Sequence, residues 1–322
     1  MKNVFVTGAS GLLGTNLIHS LVVKGFFVKA LVRNKNSYKG EKHLLLELIE
    51  GDLFEDLSSK ISGCDCIIHV AAETRQHLLH YSDYHKTNCE ATINVFQSGL
   101  LANTKKFIFV SSANTLGHGD LSDLGSENKT ARIPFNQSFY AKSKLVAENY
   151  LLENKHKMDV IIVNPTFMLG AYDSKPSSGK ILLMGWKKRL VFYPPGGKSF
   201  VSVKDVAEGI IACIEKGQNG EKYLLSNENL NYKEFFSRLN MLTNQHPIMI
   251  EIPRNLLLLI GVTGNVLRFL GLPTSISLAN MRMLCQDNFF TNRKSVTHLG
   301  IQYQPIDNAI IEAIEYFKSL EK

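Results

Sequence analysis

Residues 6–14 read VTGASGLLG, with glycines at 8, 11 and 14, directly behind the apolar run NVFV. Glycine loses more backbone freedom on folding than any other residue, so a core gains nothing from three of them. A strand turning sharply into a helix gives each a use. The first makes the turn, the second lets backbone approach a ligand, and the third brings helix against strand. The helix N-terminus then offers free N–H donors and the positive end of its dipole to an anion. The stretch therefore predicts a dinucleotide site built from Thr7, Gly8, Ser10, Gly11, Leu12, Leu13 and Gly14.

Outward from this loop, apolar strand-like runs alternate with helical ones. NVFVTG, FFVKALV, LELIEGDL, CIIHVAA, KKFIFVSSA and DVIIVNPTFMLG read as strands. GTNLIHSLVVKG, YHKTNCEATINVFQSGLLAN and YAKSKLVAENYLLENK read as helices. Near-continuous apolar strands alternating with helices define an α/β protein, a doubly wound parallel sheet of the Rossmann type. After Pro165 the rhythm breaks into the Gly/Pro/Ser-rich GAYDSKPSSGK and YPPGGKS. We expect a dinucleotide-binding domain over 1–165, revisited at about 199–217. A smaller, mostly helical substrate part then takes 166–198 and 218–322.

With 322 residues, 44% hydrophobic and 20% charged, the composition is that of a globular protein of one large unit and a companion. A formal charge of +7 favours anionic partners, but the densest basic run, WKKR at 186–189, is short. No aromatic–basic recognition motif accompanies it, so nucleic acid is not an expected partner. The five cysteines lack paired metal spacing and read as reduced, mostly buried thiols of a cytoplasmic protein. The sequence VFVTG follows Met1 almost at once, leaving no room for a signal peptide, and no apolar run reaches the length of a membrane span. His77, His80 and His85 have no carboxylate partner at a metal-ligand spacing, so no metal is expected.

In such sites a carboxylate at the end of the second strand binds the adenosine ribose. Here that strand ends ALVRNKN, offering Val32, Arg33 and Lys35 and no acid. Arg33 is suited to a 2′-phosphate through its planar fork of donors, so NADP(H) is expected over NAD(H). Asp52, followed by Leu53 in GDL, reads either as an acceptor for the adenine amino group or as a helix N-cap. YAKSK puts Tyr140 and Lys144 on one helix face, where an ammonium would lower the phenol. Ser112 in FVSSANTLG stands just past a strand's C-terminal end, where ligands bind in these sheets.

These motifs, in this order and at these separations, resemble the extended branch of the short-chain dehydrogenases/reductases, over nearly the whole chain. The resemblance rests on TGASGLLG, GDL, HVAA (His69–Ala72), Asn88 in KTNCEATINV, VSSANTLG, YAKSK, VNPTFMLG and FVSVKDVAEG. It implies that Tyr140 is the catalytic acid/base, Lys144 lowers its pKa and holds the nicotinamide ribose, and Ser112 orients the substrate oxygen. It also implies that Asn88 supports the lysine, that Val70, Ala71 and Ala72 line the cofactor, that Asn164 and Pro165 border the nicotinamide, and that the chain is a homodimer. ALVRN, VSSANTLG and VNPTFMLG look most like the dihydroflavonol-4-reductase-like group. Nucleotide-sugar epimerases typically have an acid where Val32 stands, VYG at Thr115–Gly117, and Arg-Asp at Lys198 and Ser199.

The expected function is NADPH-dependent reduction of an apolar ketone or aldehyde. An NAD-dependent nucleotide-sugar epimerase or dehydratase is the first alternative, and a non-catalytic NADP-binding sensor the second. Thr74, Asn114 and His118 are candidate substrate contacts. The apolar stretch Pro253–Pro273, interrupted at Thr263, Gly264 and Asn265, reads as two helices of the smaller part's core. A wall over an apolar substrate, with peripheral membrane contact, is its other reading.

Overall fold

The run behind the glycine loop becomes an inner strand of a seven-stranded sheet in the computed structural model, which describes residues 2–174 and 176–321. The strands are β1 (Asn3–Thr7), β2 (Phe27–Val32), β3 (Leu46–Glu50), β4 (Cys66–His69), β5 (Lys106–Val110), β6 (Asp159–Pro165) and β7 (Lys222–Leu225). They lie in the order β3-β2-β1-β4-β5-β6-β7, and every pairing is parallel. Successive side chains leave opposite faces of a strand. Val4 and Val6 accordingly enter one apolar layer and Phe5 the other; Ile108 and Val110 part from Phe107 and Phe109 in the same way.

Helices cover both layers, which is why the inner strands β1, β4 and β5 are largely apolar. On the first layer lie α1 (Leu12–Val23) and, later in the chain, Val203–Lys216, through Leu17, Leu21, Val206 and Ile210. The second layer is covered by α2 (Ala91–Leu101) and α3 (Phe139–Glu153), through Phe96, Ala147 and Leu151. Because β2 and β4 flank β1 on opposite sides, the connections diverge there. The crevice that results holds the glycine loop and Val70–Ala72.

The domain boundaries differ from those expected. Of the stretch expected to return at about 199–217, the helix Val203–Lys216, α4, packs on the large domain. The strand Gly197–Ser202 belongs to a second sheet, paired with Phe167–Leu169, Glu228–Asn231 and Asp287–Asn288. Phe200 draws it there by stacking on Phe235, ring centres 4.4 Å apart. Conversely, residues 222–225, assigned to the substrate part, form β7 of the main sheet, where Tyr223 and Leu225 fill the first layer.

Further helices are α5 (Tyr232–Leu242), α6 (Arg254–Phe269), α7 (Leu278–Leu284) and α8 (Ile306–Leu320). α5 and α8 share a core that gathers Trp186, Phe235, Phe236, Ile310 and Phe317. α6 runs unbroken through Thr263–Asn265, against the expectation of two helices. A Cβ on Gly264 would stand 2.5 Å from the Ile276 carbonyl oxygen, so the glycine serves close packing rather than a break. Among the described residues no helix is long and apolar enough to cross a membrane. The five cysteines are unpaired, four of them buried.

Candidate active site

The glycines divide their work as the spacing predicts. Gly8 has φ +70°, and a Cβ there would lie 2.6 Å from the Ala71 nitrogen. A Cβ on Gly14 would overlap the Gly8 carbonyl oxygen. Gly11 is different: it is exposed, caps α1 with no side chain, and a Cβ would touch only that same oxygen at 3.5 Å. The backbone at Gly11 is thus open to a ligand's approach. With no acid in the first turn of α1, the loop suits a pyrophosphate.

Arg33 is exposed at the end of β2, and Lys35 follows with its N–H donating to Glu50 Oε1 at 2.9 Å. Glu50, at the end of β3, is a carboxylate the sequence reading did not bring to this corner. Asp52 caps no helix: its Oδ1 accepts the Phe54 N–H at 3.0 Å in a turn. The next helix begins at Ser58, whose N–H is taken by Asp56. Leu53 offers its carbonyl to Asn94 at 2.8 Å.

Ser112, Tyr140 and Lys144 meet beyond β5. The Lys144 ammonium is 1% exposed, donates to the Val110 carbonyl at 2.8 Å and lies 4.5 Å from the centre of the Phe109 ring. Burial pulls it down to about 7, against the attraction of Glu148. Burial likewise pushes the Tyr140 phenol up to about 12, while the nearby Ser112 hydroxyl works the other way. This departs from the expectation that Lys144 lowers the phenol, because the ammonium is held on Val110. The Ser112 hydroxyl also accepts the Asn114 N–H at 3.2 Å.

Glu148, one turn beyond Lys144, escaped the sequence reading. It is fully buried and accepts from Ser111, from Thr115 Oγ1 at 2.7 Å, from Asn164 Nδ2 at 2.9 Å, and from the Lys222 ammonium. The carboxylate therefore ties α3, β6 and β7 to the loop that carries Ser112. Asn164 also donates to the Ser112 carbonyl at 3.1 Å, and its Oδ1 is buried without a partner. Pro165 ends β6 beside Leu225.

Asn88 does not reach Lys144. It sits in a wider π-helical turn, Lys86–Glu90, interposed in the helix expected over 84–103. Its amide donates to Ser143 Oγ at 2.9 Å and exchanges hydrogen bonds with the Glu73 backbone. Ser143 in turn donates to the Tyr140 carbonyl at 2.8 Å. Buried His69 links this turn to the glycine loop: Nδ1 lies 2.8 Å from Thr7 Oγ1 and Nε2 3.0 Å from Thr92 Oγ1. Thr92 donates to the Asn88 carbonyl and Thr7 accepts the Ala71 N–H. With the Thr92 proton committed to Asn88, Nε2 donates to Thr92 and Nδ1 accepts the Thr7 proton.

The candidate substrate residues are less concentrated. Thr74 is exposed beside Glu73, and His118 packs on Phe135 with ring centres 4.6 Å apart. Lys198, noted in the sequence only as a departure, lies 5.0 Å from the centre of the Phe167 ring, and burial lowers it to about 8. Only the pairing with Phe167–Leu169, just past Pro165, brings it toward the site.

A doubly wound sheet with a glycine loop at its switch point and a Ser-Tyr-Lys set beyond β5 defines a dinucleotide-dependent enzyme. Residues 4–226 match the model of the NAD dependent epimerase/dehydratase family. The chain belongs to that family, among the extended short-chain dehydrogenases/reductases, and it is similar to reductases of the dihydroflavonol-4-reductase type. It is 28% identical to a putative dihydroflavonol 4-reductase of Synechocystis, covering 98% of this chain and 94% of that protein. It is 30% identical to the decarboxylating sterol-4-alpha-carboxylate 3-dehydrogenase of Dictyostelium discoideum, over 74% of this chain and 75% of the other. Among solved structures, gox2253 superposes with a TM-score of 0.83 at 27% identity, covering 99% of both chains.

Proposed function

We infer that this protein is an NADPH-dependent reductase of an apolar ketone or aldehyde. The observation that carries the reading is the Ser112 hydroxyl beside a Tyr140 phenol that burial keeps protonated, with the buried Lys144 ammonium held on the Val110 carbonyl one helix turn on. NADPH supplies the hydride when bound. Gly8, Gly11 and the α1 N-terminus would hold its pyrophosphate and Arg33 its 2′-phosphate. Ser112 holds the substrate oxygen by a hydrogen bond, and Tyr140 gives its proton from Oη to the alkoxide that develops there. Lys144 places a cationic donor behind this pair, and Asn88, through Ser143, fixes the helix turn that carries Tyr140.

Fluorescence titration of the purified protein with NADPH and NADH tests the cofactor assignment. Tight NADPH and weak NADH are expected, followed by turnover of bulky apolar ketones. The family's own description supports a second reading, epimerisation of a nucleotide sugar with NAD. Retained NAD+ and binding of UDP would decide for it.

A further inference from the structure

The least explained surface of the molecule is apolar and lies outside the site. On α6, Leu256, Leu259, Val262, Val266 and Phe269 are all exposed, Phe269 by 91%. They share one side of the helix, opposite the buried Leu257, Gly261 and Gly264. Asn255 and Thr263 on the same side are polar and uncharged. Two residues before α6 ends the strand Ile248–Glu251, paired in parallel with Leu190–Tyr193. In that pair Leu190 stands opposite Ile248 and Phe192 opposite Ile250, and all four are exposed.

Charge says what covers this surface. Residues 186–193 and 246–286 hold six Lys/Arg against a single carboxylate, Glu251. Lys187 pairs with Glu321, whereas Lys188, Arg189 and Arg254 have no ion pair among the described residues. Apolar side chains flanked by unpaired cations fit an anionic bilayer, where they enter the acyl boundary while cations meet the headgroups. We propose that the outward faces of α6 and of the strand pair Leu190–Tyr193/Ile248–Glu251 dock the protein on an anionic lipid surface, lying on it without crossing. The far end of α6 is also tied to the active-site side: Arg268 donates to the Leu78 carbonyl at 2.7 Å, in the loop that follows Val70–Ala72. This surface is independent of the reductase reading, and its test does not depend on turnover.

The experiment is co-sedimentation of the full chain with phosphatidylcholine vesicles, with and without phosphatidylglycerol. We expect pelleting with the anionic vesicles, falling as salt is raised. Val266→Glu with Phe269→Glu should weaken it at least about tenfold, and Lys188→Glu with Arg189→Glu should also weaken it. Unchanged thermal unfolding would show that these exposed substitutions spare the fold. No pelleting, pelleting that ignores both double variants, or equal pelleting with pure phosphatidylcholine would overturn the proposal. So would a concentration-dependent dimer that Val266→Glu/Phe269→Glu abolishes while lipid fails to bind, which gives the face to a second copy.

Discussion

At Tyr140 and Lys144 the same burial acts in opposite directions, since both groups are pressed toward their neutral forms. A phenol held up to about 12 is a weaker acid than a free one, yet it keeps its proton at neutral pH and can still give it to the far more basic alkoxide, which suits reduction. Tyr140→Phe keeps the ring and removes that proton. Turnover should fall about 10²–10⁴-fold while the NADPH dissociation constant stays put; parallel loss of both would reassign Tyr140 to binding. Arg33 makes the complementary case, because it is exposed and would meet only the 2′-phosphate. A charge-assisted hydrogen bond contributes about 1.5–3 kcal/mol. Arg33→Ala should therefore weaken NADPH by about ten- to a hundredfold and leave NADH nearly unchanged, as read by titrating both. An unaltered preference would remove Arg33 from the cofactor site.

Among the elements, the glycine loop separates two functions that its spacing alone runs together. Gly14→Ala forces a Cβ onto the Gly8 carbonyl oxygen, an overpacking that should cost about 1–3 kcal/mol in urea unfolding. Gly11→Ala meets ordinary contact and should leave stability nearly intact while weakening NADPH. Equal stability losses in the two variants would deny the division. The loop and the first six strands are legible because buried parallel strands are mostly apolar and glycine announces the first turn. β7 is not, for KYLL is too short to show a period, and no period says which sheet a strand joins. Gly197–Ser202 was misplaced for that second reason. Glu148 stayed hidden because a glutamate one turn past Lys144 reads as ordinary helix surface until Lys222 and Asn164 arrive from other elements. The π-helical turn around Asn88 leaves no mark in an apolar pattern.

Across the whole molecule, His69 joins what the chain keeps apart, with the glycine loop on one ring nitrogen and the Asn88 turn on the other. Its burial makes that joint sensitive to acid. An unfolded histidine takes up a proton near pH 6.5, whereas folded His69 is held down to about 3 by desolvation and, next, by the Lys144 charge. Between those values the unfolded chain binds the extra proton, so the stability His69 confers is complete above about pH 6.5 and drains as pH falls toward 3. Asp205, raised to about 6, acts in the opposite sense over part of this window, because there the folded state holds the proton. It does so in any variant alike and cancels in a difference. Lys144 is lowered to about 7 from its ordinary 10.5, so its effect falls above the window. His69→Gln keeps a donor and an acceptor and cannot titrate. The gap in unfolding free energy between the parent and His69→Gln should therefore narrow by about 2–3 kcal/mol from pH 7 to pH 4.5, two units at about 1.4 kcal/mol each. Urea unfolding of both proteins across that range measures it. A gap that stays constant would mean that the folded ring takes up its proton as readily as the unfolded one, and that the bridge from Thr7 to Thr92 does not hold it neutral.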